Sequence, residues 1–153
     1  MIVEGVHVFP GPREVVWNLL LDPDVLAKTM PGTARITRTA PDRYEGTMAM
    51  GIGPISAASF DVAIAITDQL EPERYTMQID GRGGFGFTRG TAAVSLAAEG
   101  ASTRMHYQAD LQVGGKIAAV GQRLLDSVSR LLLRQGLEAM TRELERRLAG
   151  GAA

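Results

Sequence analysis

The stretch RMHYQADLQVGGKIAAVGQRLLDSVSRLLLRQGLEAMTRELERRL (residues 104–148) decides the fold, because its hydrophobic period changes once within it. Up to Val113, apolar Met105, Tyr107, Ala109, Leu111 and Val113 alternate with Arg104, His106, Gln108, Asp110 and Gln112. That is the period of a half-buried strand. Gly114-Gly115 interrupts it. Beyond, Ile117, Val120, Leu124, Val128, Leu131, Leu132 and Leu144 recur at helical spacing, with Asp126, Arg130, Arg134, Glu138, Arg142 and Glu145 as a solvated face. A helix from the glycine pair to about Leu148 spans roughly 50 Å at 1.5 Å per residue. It exceeds any strand here, so it must cross a sheet and overhang it. Gly121 and Gly136 within it predict a bend or a close backbone approach. Residues 149–153 are expected to fray.

Working back from that strand, the period of two holds from about residue 33. Tyr44, Met48, Met50 and Ile52 share one face; Phe60, Val62, Ile64 and Ile66 another; Tyr75, Met77 and Ile79 a third. Pro41-Asp42, Gly53-Pro54, Glu71-Pro72-Glu73 and Glu99-Gly100 supply the turns, so these six strands form an antiparallel meander. A further strand opens the chain at residues 2–9, with Val3, Gly5, His7 and Phe9 on one face. Pro12 then suits the first turn of a helix carrying Val15, Val16, Leu19 and Leu20. Asp22-Pro23 caps a second short helix, which Pro31-Gly32 closes. The expected fold is α+β. A curved seven-stranded antiparallel sheet grips a long C-terminal helix, in one domain over residues 1–148. A curved sheet and a straight cylinder fit imperfectly, so space can remain between them.

Composition narrows the function. One domain of 153 residues without cysteine excludes a disulfide scaffold, thiolate catalysis and iron–sulfur ligation, and makes the cytoplasm the default compartment. A net charge of −1 gives no pull towards nucleic acid or anionic lipid. No apolar run reaches the ~20 residues of a membrane span. Against 18 glycines stand only one Trp, three Tyr and four Phe, a composition that predicts an incompletely filled core.

Chemistry-bearing motifs are sparse. Gly81-Arg82-Gly83-Gly84-Phe85-Gly86 matches a dinucleotide-binding spacing, but a strand follows it where that chemistry needs a helix N-terminus. It reads as a glycine-rich strand corner. Glu45, Asp61, Asp80 and Asp110 fall on outer faces, so no carboxylate pair converges for acid–base work. His7 points inward and reads first as a hydrogen-bonded core or cavity residue. His106 points outward, and neither has metal-ligand neighbours at useful spacing. No catalytic residue, metal site or cofactor is expected. Methionines on inner faces suit an adaptable apolar cavity. Its expected lining is Phe9, Met48, Met50, Phe60, Met77, Phe85, Phe87, Met105 and Tyr107 from the strands. Leu20, Leu26 and Met30 form its mouth, and Ile117, Gly121, Leu124 and Val128 the opposite wall.

Val16-Trp17, Asp22-Pro23, Met30-Pro31-Gly32, Gly51-Ile52-Gly53-Pro54, the stretch GRGGFGFTRG and, above all, GGKIAAVGQRLLD from Gly114 to Asp126 resemble the CoxG subunit family of carbon monoxide dehydrogenase. That family lies in the START-like, polyketide-cyclase (SRPBCC) superfamily of helix-grip folds. The resemblance implies an accessory protein of molybdenum-containing CO dehydrogenases and related hydroxylases, acting in maturation or membrane recruitment. It also implies a lipophilic ligand such as a quinone, and a peripheral place at the inner membrane face without an anchor in this chain. Thr33 stands where the family pattern often has cysteine. A cyclase- or dehydratase-type enzyme using His7 or Tyr107 in the same cavity, and a pure interaction module with a filled core, are the alternatives.

Overall fold

The computed structural model describes residues 1–30, 33–52 and 55–151. The elements run β1 (Ile2–Phe9), α1 (Arg13–Leu21), α2 (Pro23–Thr29), β2 (Thr33–Ala40), β3 (Arg43–Ile52), β4 (Ile55–Leu70), β5 (Arg74–Gly83), β6 (Gly86–Glu99) and β7 (Ser102–Gly114). A 3-10 turn (Gly115–Val120) and α3 (Gln122–Gly151) complete the chain. All seven strands join one antiparallel sheet in the order β1-β7-β6-β5-β4-β3-β2. The meander therefore folds by nearest-neighbour pairing, and only β1 crosses over to the far edge. The expected Pro31-Gly32 and Gly53-Pro54 turns lie outside the described residues.

Local signals place the short helices. The Asp22 carboxylate accepts from the Asp24 amide at 2.9 Å, and Pro23 occupies the first helical position of α2. Pro12 caps α1 from outside rather than opening it. Cross-strand partners share a face, and the register carries one inner face through the sheet: Val3 with Ala109, Ala109 with Ala92, Ala92 with Met77, Met77 with Ile66.

The long helix differs from its sequence pattern. Gly121, at φ +100°, separates the 3-10 turn from α3, a conformation that glycine alone adopts freely. The break resets the helical phase. The buried stripe is Leu125, Leu137 and Leu144, flanked by half-buried Leu133, Met140 and Leu148, while Leu131 is exposed. A period continued unbroken from Ile117 and Val120 lands one position off. Gly136 answers the second glycine: a β-carbon there would sit 3.0 Å from the Thr29 carbonyl oxygen, so α2 packs directly on the helix backbone. The helix also runs on to Gly151, past the expected end at Leu148, and residues 152–153 lie outside the described residues.

Candidate functional site

Sheet and helix do not meet evenly. Towards one end, Phe9, Val16, Trp17, Leu19, Tyr44, Tyr75, Leu96, Met105 and Leu144 are fully enclosed. Trp17 stands edge-on to Tyr75 at 5.3 Å, which locks α1 against the inner face. Two of the polar groups trapped there find partners. Thr103 Oγ1 donates to the Gly11 carbonyl at 2.7 Å. The Tyr44 hydroxyl donates to the Leu21 carbonyl at 2.5 Å and accepts from Arg38. Burial pushes the Tyr75 hydroxyl far above its ordinary pKa, with Tyr44 adding to the effect, so it stays neutral.

Towards the other end the same inner face is covered unevenly: Ala58, Phe60 and Val62 are buried, and several of their neighbours are not. Met48, Met50, Met77, Ile79 and Val113 point inward yet are only half-buried. Their inner-face neighbour Ala92 adds only a methyl group, and at Gly46 and Gly90 a β-carbon would strike the adjoining backbone at Arg35 and Asp110, so the strands approach closely there. Apolar side chains that point inward and remain part-exposed leave apolar surface that protein does not fully cover.

The candidate lining therefore divides. Phe9, Leu20, Leu26, Phe60, Met105 and Ile117 are core residues, buried against protein. Met30, Met48, Met50, Met77, Tyr107, Gly121, Leu124 and Val128 are half-buried. The two hairpin phenylalanines are corrected. Gly83 pairs with Gly86, so Gly84 and Phe85 form a two-residue turn and Phe85 lies on neither strand face. Its carbonyl accepts from the Ile117 amide at 2.9 Å, and Lys116 Nζ lies 5.9 Å from its ring centroid. Phe87 pairs with Arg82 and Gly114, on the outer face. Its ring fills the place of a Gly114 β-carbon, and the Arg89 guanidinium lies 4.9 Å from its centroid. Inward positions of β6 are instead Thr88, Gly90, Ala92, Val94 and Leu96, which counting back from Leu96 by twos would have found.

A second concavity, of about 580 Å³, lies between β1 and α3 and is lined by Val3, His7, Tyr107, Leu133 and Leu137, with Glu4, Asp126, Arg130, Arg134 and Glu138 around them. His7 Nε2 is 2.9 Å from Thr141 Oγ1. Thr141 gives its own proton to the Leu137 carbonyl at 3.0 Å, so His7 donates through Nε2 and its Nδ1 carries the free lone pair. Burial lowers the His7 pKa more than the nearby Glu138 raises it, and the ring is neutral at pH 7. Tyr107 lies flat over Gly5, where a β-carbon would meet its hydroxyl at 2.5 Å. A furrow of about 580 Å³ on the outer face, lined by Glu45, Ala63, Gln78, Asp80 and Thr91, is open relief among small and polar side chains. Among the described residues no group of three or more His, Cys, Asp or Glu side chains converges, and no helix is long and apolar enough to cross a membrane.

Comparison with known proteins places this architecture. No protein of curated function matches the chain in sequence. A conserved protein from Geobacillus kaustophilus is similar at 29% identity and a TM-score of 0.89, over 96% of this chain and 97% of that one. An aromatase/cyclase, Zhui, from a Streptomyces species shares the fold at 15% identity and a TM-score of 0.72, covering 97% and 95% of the two chains. A START superfamily protein from Mycobacterium smegmatis does so at 14% and 0.68, covering 95% and 97%. The family model of the carbon monoxide dehydrogenase CoxG subunit matches residues 6–145. With the sheet, the gripped helix and nearly the whole length in agreement, the chain belongs to the CoxG family of carbon monoxide dehydrogenase subunits.

Proposed function

We propose that this chain is a non-catalytic accessory protein that holds a lipophilic molecule between the open half of the sheet and α3. In this reading it serves a molybdenum-containing CO dehydrogenase or related hydroxylase, in maturation or membrane recruitment, from the cytoplasm or the inner membrane face. The observation that carries the reading is the set of inward, half-buried Met48, Met50, Met77, Ile79 and Val113 beside Gly46, Gly90 and Ala92. A polar substrate gains nothing from such walls, whereas a flat apolar ring, as in a quinone, removes them from water. Thioethers adapt to the remaining irregularity.

The test is solvent extraction and native mass spectrometry of the purified chain, followed by thermal melts with menadione and a short-chain ubiquinone. At about 100 times Kd, binding should raise Tm by roughly 5–10 °C. Met77→Trp, which fills the space, should abolish the shift while the protein still folds. A chain that is empty on purification and shows no shift with either probe overturns the reading.

One observation favours a second reading, a cyclase-type enzyme. Neutral His7, with a free lone pair on Nδ1, and Tyr107 line the same concavity. Turnover of a polyketide-like substrate that His7→Gln abolishes without unfolding the chain would establish it.

A further inference from the structure

The two edges of the sheet are treated differently. β2 is covered by α2, carries Arg35 and Arg38, and is interrupted by a register shift between Arg38 and Ala40. Charge, bulges and covering elements are the usual protection of an edge strand. β1 is packed by α3 on its inner face, but along its outer face and open edge its one charge is Glu4. Its register is unbroken from Ile2 to Phe9, and on its outer face Ile2, Val6 and Val8 are 61%, 43% and 45% exposed. Leu70 and Leu131 are the other large hydrophobics so exposed among the described residues, and they lie apart on β4 and α3.

The hydrogen-bond phase of β1 is fixed by its first residue. The Met1 amino nitrogen donates to the Leu111 carbonyl at 2.8 Å, and the Leu111 amide donates back to the Met1 carbonyl at 2.8 Å. In an antiparallel ladder such bonded pairs recur at every second residue. Odd-numbered residues of β1 thus spend their backbone groups on β7. The amides and carbonyls of Ile2, Glu4, Val6 and Val8 point to the open edge.

We propose that this edge pairs with β1 of a second copy of the chain, antiparallel about a two-fold axis at Gly5. Only even-numbered residues can bond across the edge, so the allowed registers are few. Centred on Gly5, Ile2 bonds to Val8 of the other copy and Glu4 to Val6, and every free backbone group is used. Centring on Glu4 opposes like charges, which destabilises a cross-strand pair. Centring on Val6 leaves Ile2 without a partner. In the Gly5 register the charge of the strand faces an apolar residue, and the exposed Ile2 and Val8 cover each other. The interface is isologous, as closed dimers require. It does not rest on what the inner cavity binds.

Sedimentation equilibrium and native mass spectrometry of the full chain test the pairing and its register together. The wild type should be a dimer at micromolar concentration. Val6→Glu, which sets a carboxylate against Glu4 of the other copy, should weaken it by about tenfold or more. Val6→Lys, which sets an ammonium there, should keep or tighten it. Val6 is solvent-facing, so circular dichroism should show both variants folded. Independently, hydrogen exchange at the amides of Glu4, Val6 and Val8 should slow as protein concentration rises. A wild type that stays monomeric with exchange independent of concentration overturns the proposal. So does a dimer that the two Val6 variants weaken equally or leave untouched.

Discussion

The inner face of one sheet behaves in two ways. At the end covered by α1 and the last turns of α3, Phe9, Val16, Leu19 and Leu144 show no exposed surface, and the Thr103 and Tyr44 hydroxyls beside them donate to backbone carbonyls. At the other end Met48, Met50, Met77 and Ile79 carry the same alternation and point the same way, but they are only half-buried. Both halves have the pattern of a core strand. What separates them is covering volume: α1 inserts Trp17 against Tyr75, while the open half meets its neighbours through Gly46, Gly90 and Ala92. One half therefore carries stability, and the proposed ligand site lies in the other.

The largest expected effect is the contrast between truncations in the two halves. Phe9→Ala should cost about 3–5 kcal/mol, the range for a large side chain removed from a packed interior. Met48→Ala, whose side chain is already part-exposed, should cost less than about 1.5 kcal/mol. Urea denaturation of both variants gives the comparison directly. Equal losses would mean that the open half is packed core, and would remove the basis for a cavity.

A smaller effect probes the polar side of the sealed half. Thr103→Val keeps the shape but strands the Gly11 carbonyl, which accepts the Thr103 hydroxyl in a site with no exposed surface. Leaving a buried acceptor unmet costs about 1–3 kcal/mol. The matched change in the open half, Thr88→Val, should be close to neutral, because Thr88 is half-buried and water can reach its surroundings. A neutral Thr103→Val would show that water also enters the sealed end.

Much of this division was legible in the chain. Period two fixed the inward positions of β1, β3, β4, β5 and β7, because each strand keeps one register and turn residues mark its ends. Asp22-Pro23 announced α2 through a cap that the structure contains. The failures share one cause, a glycine that resets the phase. Gly84 and Phe85 turn the β5–β6 hairpin within two residues, ahead of Gly86 at positive φ, so counting by twos through it puts Phe87 on the wrong face. Gly121, at positive φ, restarts the helix and moves the buried stripe from Leu124 and Leu131 to Leu125 and Leu137. Which inward residues border space and which border protein was not legible. That depends on how far α1 and α3 reach over the sheet, a property of packing between elements remote in sequence.

The smallest expected effect lies where the two halves meet, at His7. Its ring packs edge-on against sealed Phe9, with centroids 4.6 Å apart, and lines the same concavity as half-buried Tyr107. Burial lowers its pKa below 6.5, and the opposing pull of Glu138 is weaker. The unfolded chain therefore takes up a proton that the folded chain refuses. The stability this contributes is complete above 6.5, shrinks as pH falls from there towards the folded pKa, and is flat below it. His7→Gln keeps a donor for Thr141 and removes the titration. Urea midpoints from about pH 7.5 down to about pH 5 should fall more steeply in the wild type than in this variant. Parallel slopes would show that His7 titrates as it does in water. The boundary between sealed and open halves would then lie on the Phe9 side of the ring rather than beyond it.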